Sequence, residues 1–266
     1  MLPRLLDTRL ATIAGYGKMA FVSGPRQVGK TTLARQFQKS FSHSLYFNWD
    51  IITDQKRLLK NPYFFEAADR DPGKPFLVVL DEIHKYARWK NYLKGAYDGF
   101  HRDFRFLVTS SGRLDLFKKG GDSLLGRYLC APLFPLSVGE LSGRVPTWAE
   151  FNAGLKDSPV PKPGAAEAYA TLFRFSGFPE PFVRADTAFY NAWFQERKAL
   201  LVREDIRDAG KVREFSRMET LSHLVPDKVG APLSINSLKE DVGVAFETVR
   251  DWLLLLEQFY YMFRIT

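Results

Sequence analysis

Short apolar runs and amphipathic stretches alternate along the amino-terminal half of the chain. Leu5 to Ile13 places apolar residues at helical intervals, and Lys18-Met19-Ala20-Phe21-Val22-Ser23 is an apolar run that stops at Gly24, as a buried strand does before a turn. Thr31 to Phe41 and Thr53 to Lys60 read as helices, with a second strand, Ser44 to Trp49, between them. Pro75 to Leu80 is apolar on both faces, Trp89 to Phe100 is helical, and Phe104 to Thr109 is another buried strand. Strands alternating with helices predict an α/β fold, a parallel sheet covered on both sides.

The pattern changes in the second half. Tyr128 to Leu133 reads as one more strand, and the Pro-rich stretch from Lys156 to Gly164 as an exposed loop. Beyond it the periodicity is helical: Ala165 to Phe175, then Ala185 to Arg207 after a turn at Gly177 to Pro181, then three short helical patterns. In the last of these, Ser234 or Asn236 caps a helix, a turn falls near Val242 to Val244, and Phe246 to Glu257 follows, which predicts a helix-turn-helix of winged-helix type. Phe259 to Ile265 has strand character with no partner sequence after it, and the chain is expected to be the front part of a longer protein. The expected division is 1–143 for the α/β domain, 144–213 for a linker and helical region, and 214–266 for the helix-turn-helix region, the start of a further domain.

Chemistry concentrates where strands end. Gly24-Pro25-Arg26-Gln27-Val28-Gly29-Lys30-Thr31 fits the phosphate-loop pattern G-x-x-x-x-G-K-[ST] between a buried strand and a helix. Glycine lets the backbone turn its N–H groups toward an anion, and the helix that follows adds its positive dipole end. Lys30 supplies a charge for the β and γ phosphates, and the Thr31 hydroxyl is a ligand for Mg²⁺. Thr32 is a packing or capping neighbour; Arg26 and Gln27 sit at the loop tip, either solvated or on a phosphate.

Asp81 and Glu82 end an apolar strand at the sheet edge where open parallel sheets bind ligands. Asp81 suits a Mg²⁺ partner, direct or through water, and Glu82 the base that polarises the attacking water. Thr109 and Ser110, with Ser111, end another buried strand; they sense the γ-phosphate or simply favour the turn. Arg127, after Gly126, fits an arginine finger reaching a neighbouring subunit, although an isolated Arg is more often a solvated surface residue.

Composition adds limits. With 266 residues, 45% hydrophobic and 15% aromatic, the chain can bury a substantial core. One cysteine, Cys130, excludes an internal disulfide, and no Cys/His cluster has zinc spacing. No run is long and apolar enough for a membrane span and the start lacks a secretion signal, so a cytoplasmic protein without membrane partners is expected. A net charge of +8 and a pI near 9.5 suit an anionic partner: nucleotide, nucleic acid or an acidic protein. The exposed early positions of the last helix are Glu247, Thr248, Arg250 and Asp251, not a basic reading face. Basic residues gather instead at Lys85, Arg88, Lys90 and Lys94, and at Lys118-Lys119.

In order, GPRQVGKTTL (Gly24 to Leu33), LVVLDEIHK (Leu77 to Lys85), FLVTSSGRL (Phe106 to Leu114), SLLGRY (Ser123 to Tyr128), PLSVGEL (Pro135 to Leu141) and SGFPEP (Ser176 to Pro181) resemble a bacterial and archaeal AAA-type ATPase family. That family pairs an amino-terminal ATPase domain with a carboxy-terminal domain of unknown function. The resemblance implies an AAA-like sheet of order 5-1-4-3-2, Glu82 as catalytic glutamate, a sensor hydroxyl among Thr109 to Ser111, and Arg127 as the finger. The family usually shows Thr-Gly-Ser where this chain has Thr109-Ser110-Ser111-Gly112, and its members continue into a nuclease-like region. The expected function is hydrolysis of Mg·ATP that drives or times a conformational change in attached domains or a homo-oligomer. The alternative is a nucleotide-switched nucleic-acid-binding or signalling regulator with little turnover. No Asn-Lys-x-Asp motif supports a GTPase.

Overall fold

A computed structural model describes residues 4–112, 124–142, 164–207, 212 and 214–265. Its amino-terminal half runs α1 (Leu6–Gly15), β1 (Met19–Ser23), α2 (Lys30–Gln38), β2 (Ser44–Asn48), α3 (Ile52–Lys60), β3 (Phe76–Asp81), α4 (Trp89–Phe100), β4 (Phe104–Ser110) and β5 (Tyr128–Cys130). All neighbouring strands pair in parallel, in the order β2-β3-β4-β1-β5, which is 5-1-4-3-2 read from the other edge.

Burial follows from that order. The inner strands β1 and β3 are buried at every residue, while the edge strands β2 and β5 are mostly half-covered. Alternate residues face opposite sides. Met19, Phe21, Val78, Leu80, Phe104, Phe106 and Val108 meet Trp89, Leu93 and Ala96 of α4 on one face. Ala20, Val22, Leu77, Val79 and Leu107 meet Leu6, Leu10 and Ile13 of α1 and Leu33 and Phe37 of α2 on the other. Phe65 is fully buried in the first core and meets Phe100, Phe104 and Phe106 edge-on at 5.1–5.5 Å. Such pairs add roughly 0.5–1.5 kcal/mol each beyond burial.

β5 is shorter than the predicted Tyr128 to Leu133. Pro132 has no N–H, yet the N–H groups of Ala131 and Leu133 still donate to Phe21 and Ser23 oxygens at 2.8 Å, so the segment stays against β1. Next come α5 (Val138–Leu141), capped by Ser137 and Glu140, then α6 (Ala165–Phe175), α7 (Pro179–Arg184) and α8 (Thr187–Leu200), which runs into a wider π-type segment, Leu201–Ile206. The predicted turn at Gly177 to Pro181 instead opens α7, because Pro179 suits the first helical position. The helix predicted from Ala185 starts at Thr187: Ala185 takes a left-handed φ of 50°, and the Asp186 carboxylate accepts from Phe189 N.

The chain closes with α9 (Phe215–Leu224), α10 (Ile235–Val242) and α11 (Phe246–Gln258). Ser234 caps α10 and Gly243, at φ 71°, ends it, giving the predicted helix-turn-helix. Leu201, Val202 and Ile206 share one core with Met218, Leu221, Leu238, Val249, Trp252 and Leu256. Among the described residues no strand follows α11, so the strand character expected from Phe259 to Ile265 is not realised there. Residues 143 and 213, the Pro-rich residues 156–163, Lys118, Lys119, Leu114 and Ser123 lie outside the described residues.

Candidate nucleotide site

The phosphate loop follows β1 at the carboxyl edge of the sheet, where Gly24 N donates to Ser110 O at 3.3 Å. A Cβ on Gly24 would lie 2.1 Å from Leu133 O, so no side chain fits there. Gln27 and Gly29 take left-handed φ values of 65° and 98°, the reversal that turns the backbone inward before α2. Pro25 and Val28 are buried beneath the loop, and Gln27 is exposed at its tip. Lys30 is buried and donates to Gly24 O at 3.0 Å and Pro25 O at 2.9 Å. Burial lowers its pKa, against the pull of Glu82, Asp205 and Asp81.

Asp81, the last residue of β3, is almost fully buried. Its Oδ2 accepts from Thr31 Oγ1 at 2.8 Å and from the Tyr46 hydroxyl, and its Oδ1 from the Thr109 hydroxyl. Tyr46 reaches it because β2 pairs with β3, and Arg35 of α2 lies over the Tyr46 ring at 3.3 Å. An adjacent hydroxyl and carboxylate are the oxygen donors a hard cation needs, so the residues fit Mg²⁺. Among the described residues no group of three or more His, Cys, Asp or Glu forms a cage, so phosphate and water would complete the shell.

Glu82 bends away from the strand with a left-handed φ of 55°, which points its carboxylate into the cleft. Ser111 Oγ donates to Glu82 Oε2 at 3.3 Å. Burial raises the Glu82 pKa, while Lys30 and Lys85 oppose the rise. His84 Nδ1 lies 3.6 Å from Glu82 Oε2, but burial pushes the imidazole pKa down to about 3, so the contact is not an ion pair at neutral pH.

A cleft of about 430 Å³ joins these groups. Arg26, Gln27, Gly29, Lys30, Thr31 and Thr32 line it from the loop, and Asp81, Glu82 and Ser111 from the strand ends. Ser110 is buried behind it, its Oγ accepting from Gly112 N at 3.2 Å. The remaining walls were not legible as site residues: Asn48, Asp50 and Lys85 beside β2, and Pro179, Glu180 and Asp205 from the helical half. Asn48 at a strand end, Lys85 within LVVLDEIHK, and Pro179 and Glu180 within SGFPEP gave a signal; Asp50 and Asp205 gave none. Arg26 is half-buried and turned toward Glu204 at 2.7 Å and Asp205 at 3.1 Å. Arg127 lies elsewhere. Met19 N donates to Arg127 O, which sets Arg127 at the amino edge of the sheet, and its guanidinium grips Asp98 of α4 at 2.6 and 3.0 Å.

Residues 16–142 match the family model described as an AAA domain, and residues 166–266 match a domain of unknown function, DUF8612. Among solved structures, the Walker-type ATPase PABY2304 of Pyrococcus abyssi is similar over 100% of this chain and 91% of its own, at 13% identity and a TM-score of 0.58. The Aeropyrum pernix ORC1 protein in complex with DNA (15% identity, 98% and 84% covered) and AMPPCP-bound DnaA from Aquifex aeolicus (14%, 97% and 87%) reach TM-scores of 0.42 and 0.39, too low to carry an inference. No curated protein matches. The parallel sheet and the loop after β1 have the P-loop arrangement, and residues 16–142 are similar to an AAA domain. Along the chain the stretch similar to an AAA domain comes first and the stretch similar to the domain of unknown function follows.

Proposed function

We propose that the chain hydrolyses Mg·ATP and couples the cycle to movement of its helical region. The observation that carries this reading is the convergence of Lys30, Thr31, Asp81 and Glu82 on one cleft whose far wall belongs to the helical half. The loop N–H groups and Lys30 bind the phosphates; Lys30 gives up its bonds to Gly24 O and Pro25 O for phosphate oxygens. Thr31 and Asp81 would hold Mg²⁺, which neutralises phosphate charge when bound. Glu82, oriented by Ser111, accepts a proton from water as that water's oxygen bonds the γ-phosphorus and the bond to the β–γ bridging oxygen breaks.

Thr109 is a positioning residue in this reading, because its hydroxyl holds Asp81 and lies 3.4 Å from Glu82 N. Arg127 precedes Tyr128, the partner of Met19, and so stands six strand residues, roughly 20 Å, below Gly24; in this reading it serves a nucleotide held by another copy of the chain. We assign residues 1–143 to the ATPase domain, 144–213 to the linker and helical region, and 214–266 to the helix-turn-helix region. In α11, Glu247 and Asp251 flank and pair with Arg250, which favours a protein-contact role over major-groove reading.

Phosphate release from ATP, measured for wild type against Lys30→Ala, tests the proposal. Turnover by the wild type that the variant lacks supports it; equal release by both assigns the activity elsewhere.

A further inference from the structure

Arg26 is where the phosphate loop meets the helical half. Its Nη2 lies 2.7 Å from Glu204 Oε2 and its Nη1 3.1 Å from Asp205 Oδ1. The two carboxylates are neighbours in sequence. They reach one guanidinium from the wider π-type turn at Leu201–Ile206, a backbone irregularity of the kind found at functional sites. Leu201, Val202 and Ile206 of the same turn are packed into the core of the terminal helices, so a shift of this turn is transmitted to α9 and α11.

Asp205 is an unusual wall for a phosphate cleft. Its side chain is only 6% exposed, against 42% for Glu204, and it shares the cleft with Lys30, Thr31 and Glu82. Burial raises its pKa, while Arg26, Lys30 and Lys85 favour its charged form. A terminal phosphate entering this cleft brings negative charge to the same cations.

We propose that Glu204 and Asp205 form an acidic latch that holds Arg26 in the nucleotide-free chain and is displaced by the terminal phosphate of a nucleoside triphosphate. The helical half thereby reads the state of the cleft through Arg26. This rests on the cleft being the ATP site. Linkage then makes the effect reciprocal: the factor by which the latch weakens triphosphate binding is the factor by which triphosphate weakens the latch.

The test uses Glu204→Gln/Asp205→Asn, which removes both charges and keeps both shapes, with ATP and ADP carrying a fluorescent ribose substituent as probes. The double variant is expected to bind the ATP probe roughly fivefold more tightly than wild type, with a smaller gain for ADP. In an Arg26→Ala background the gain is expected to shrink to what the direct repulsion between Asp205 and phosphate contributes. Hydrogen exchange at 201–206 should quicken when wild type binds ATP. Unchanged or weaker ATP binding by the double variant overturns the latch, as does an equal gain for ADP or a gain undiminished by Arg26→Ala. If Asp205→Asn does not fold, Glu204→Gln alone, at a half-exposed site, is expected to give about a twofold gain, and no gain is again decisive against the latch. Wild type that binds no ATP probe would instead remove the ATP reading itself.

Discussion

Thr31 Oγ1 donates a 2.8 Å hydrogen bond to Asp81 Oδ2, joining the first turn of α2 to the end of β3. The bond matters because the two oxygens are the ones proposed above to hold Mg²⁺. Thr31→Ala and Asp81→Asn are each expected to bind ATP with Mg²⁺ no better than without it, a loss of roughly 10- to 100-fold relative to wild type. Nucleotide titrations with and without Mg²⁺ measure this; an undiminished Mg²⁺ effect in either variant contradicts the assignment.

If Glu82 is the base proposed above, it carries the pH dependence. As a base it must be ionised, and burial has raised its pKa above the ordinary 4.5. Turnover should therefore fall on acidification at a pH above that of an exposed glutamate. Ser111→Ala removes a hydrogen bond to the charged form, so the acid limb of the kcat profile should move further up. An unshifted limb would detach Ser111 from Glu82. The raised pKa also means that the stability contribution of Glu82 is full below its unfolded pKa and is lost as pH rises through the folded one. Glu82→Gln should accordingly gain thermal stability over wild type as the pH rises.

Gly177 ties the two halves together. Its carbonyl accepts from Leu136 N at 2.6 Å, and a Cβ there would lie 2.4 Å from Leu136 O and 3.0 Å from Pro135 Cβ. Gly177→Ala is expected to cost about 1–3 kcal/mol and lower the melting temperature by a few degrees. Gly99→Ala, in α4 with nothing within 4 Å, should be neutral or stabilising. Equal melting of the two variants would contradict the close packing.

Arg127 is held by Asp98 of its own chain at the amino edge of the sheet, opposite the edge that carries the cleft. If it completes a neighbour's site, Arg127→Ala and Lys30→Ala should each be inactive alone and recover turnover when mixed, since a mixed assembly pairs an intact loop with an intact arginine. A mixture as inactive as its parts contradicts action in trans.

These features differ in how far the sequence disclosed them. The phosphate loop and the β3 carboxylates were legible because each is a run of consecutive residues whose chemistry and strand context are local. The sheet order was legible only through the family resemblance. Tyr46 and Asp205 were not legible, because Tyr46 reaches Asp81 through strand pairing and Asp205 enters the cleft through helix packing, which no short window encodes. The sequence reading favoured Thr109 and Ser110 over Ser111, yet after the bend at Glu82 it is Ser111 that meets the carboxylate. The π-type turn left no periodic signature, since a single widened turn continues the apolar spacing of α8.

The central claim is that Glu82 activates water at a cleft that binds ATP without it. Single-turnover phosphate release by purified Glu82→Gln, with ATP binding measured on the same sample, tests it most directly. Wild-type-like binding with release slowed by at least about 100-fold is the predicted result. Undiminished release by the variant would contradict the assignment.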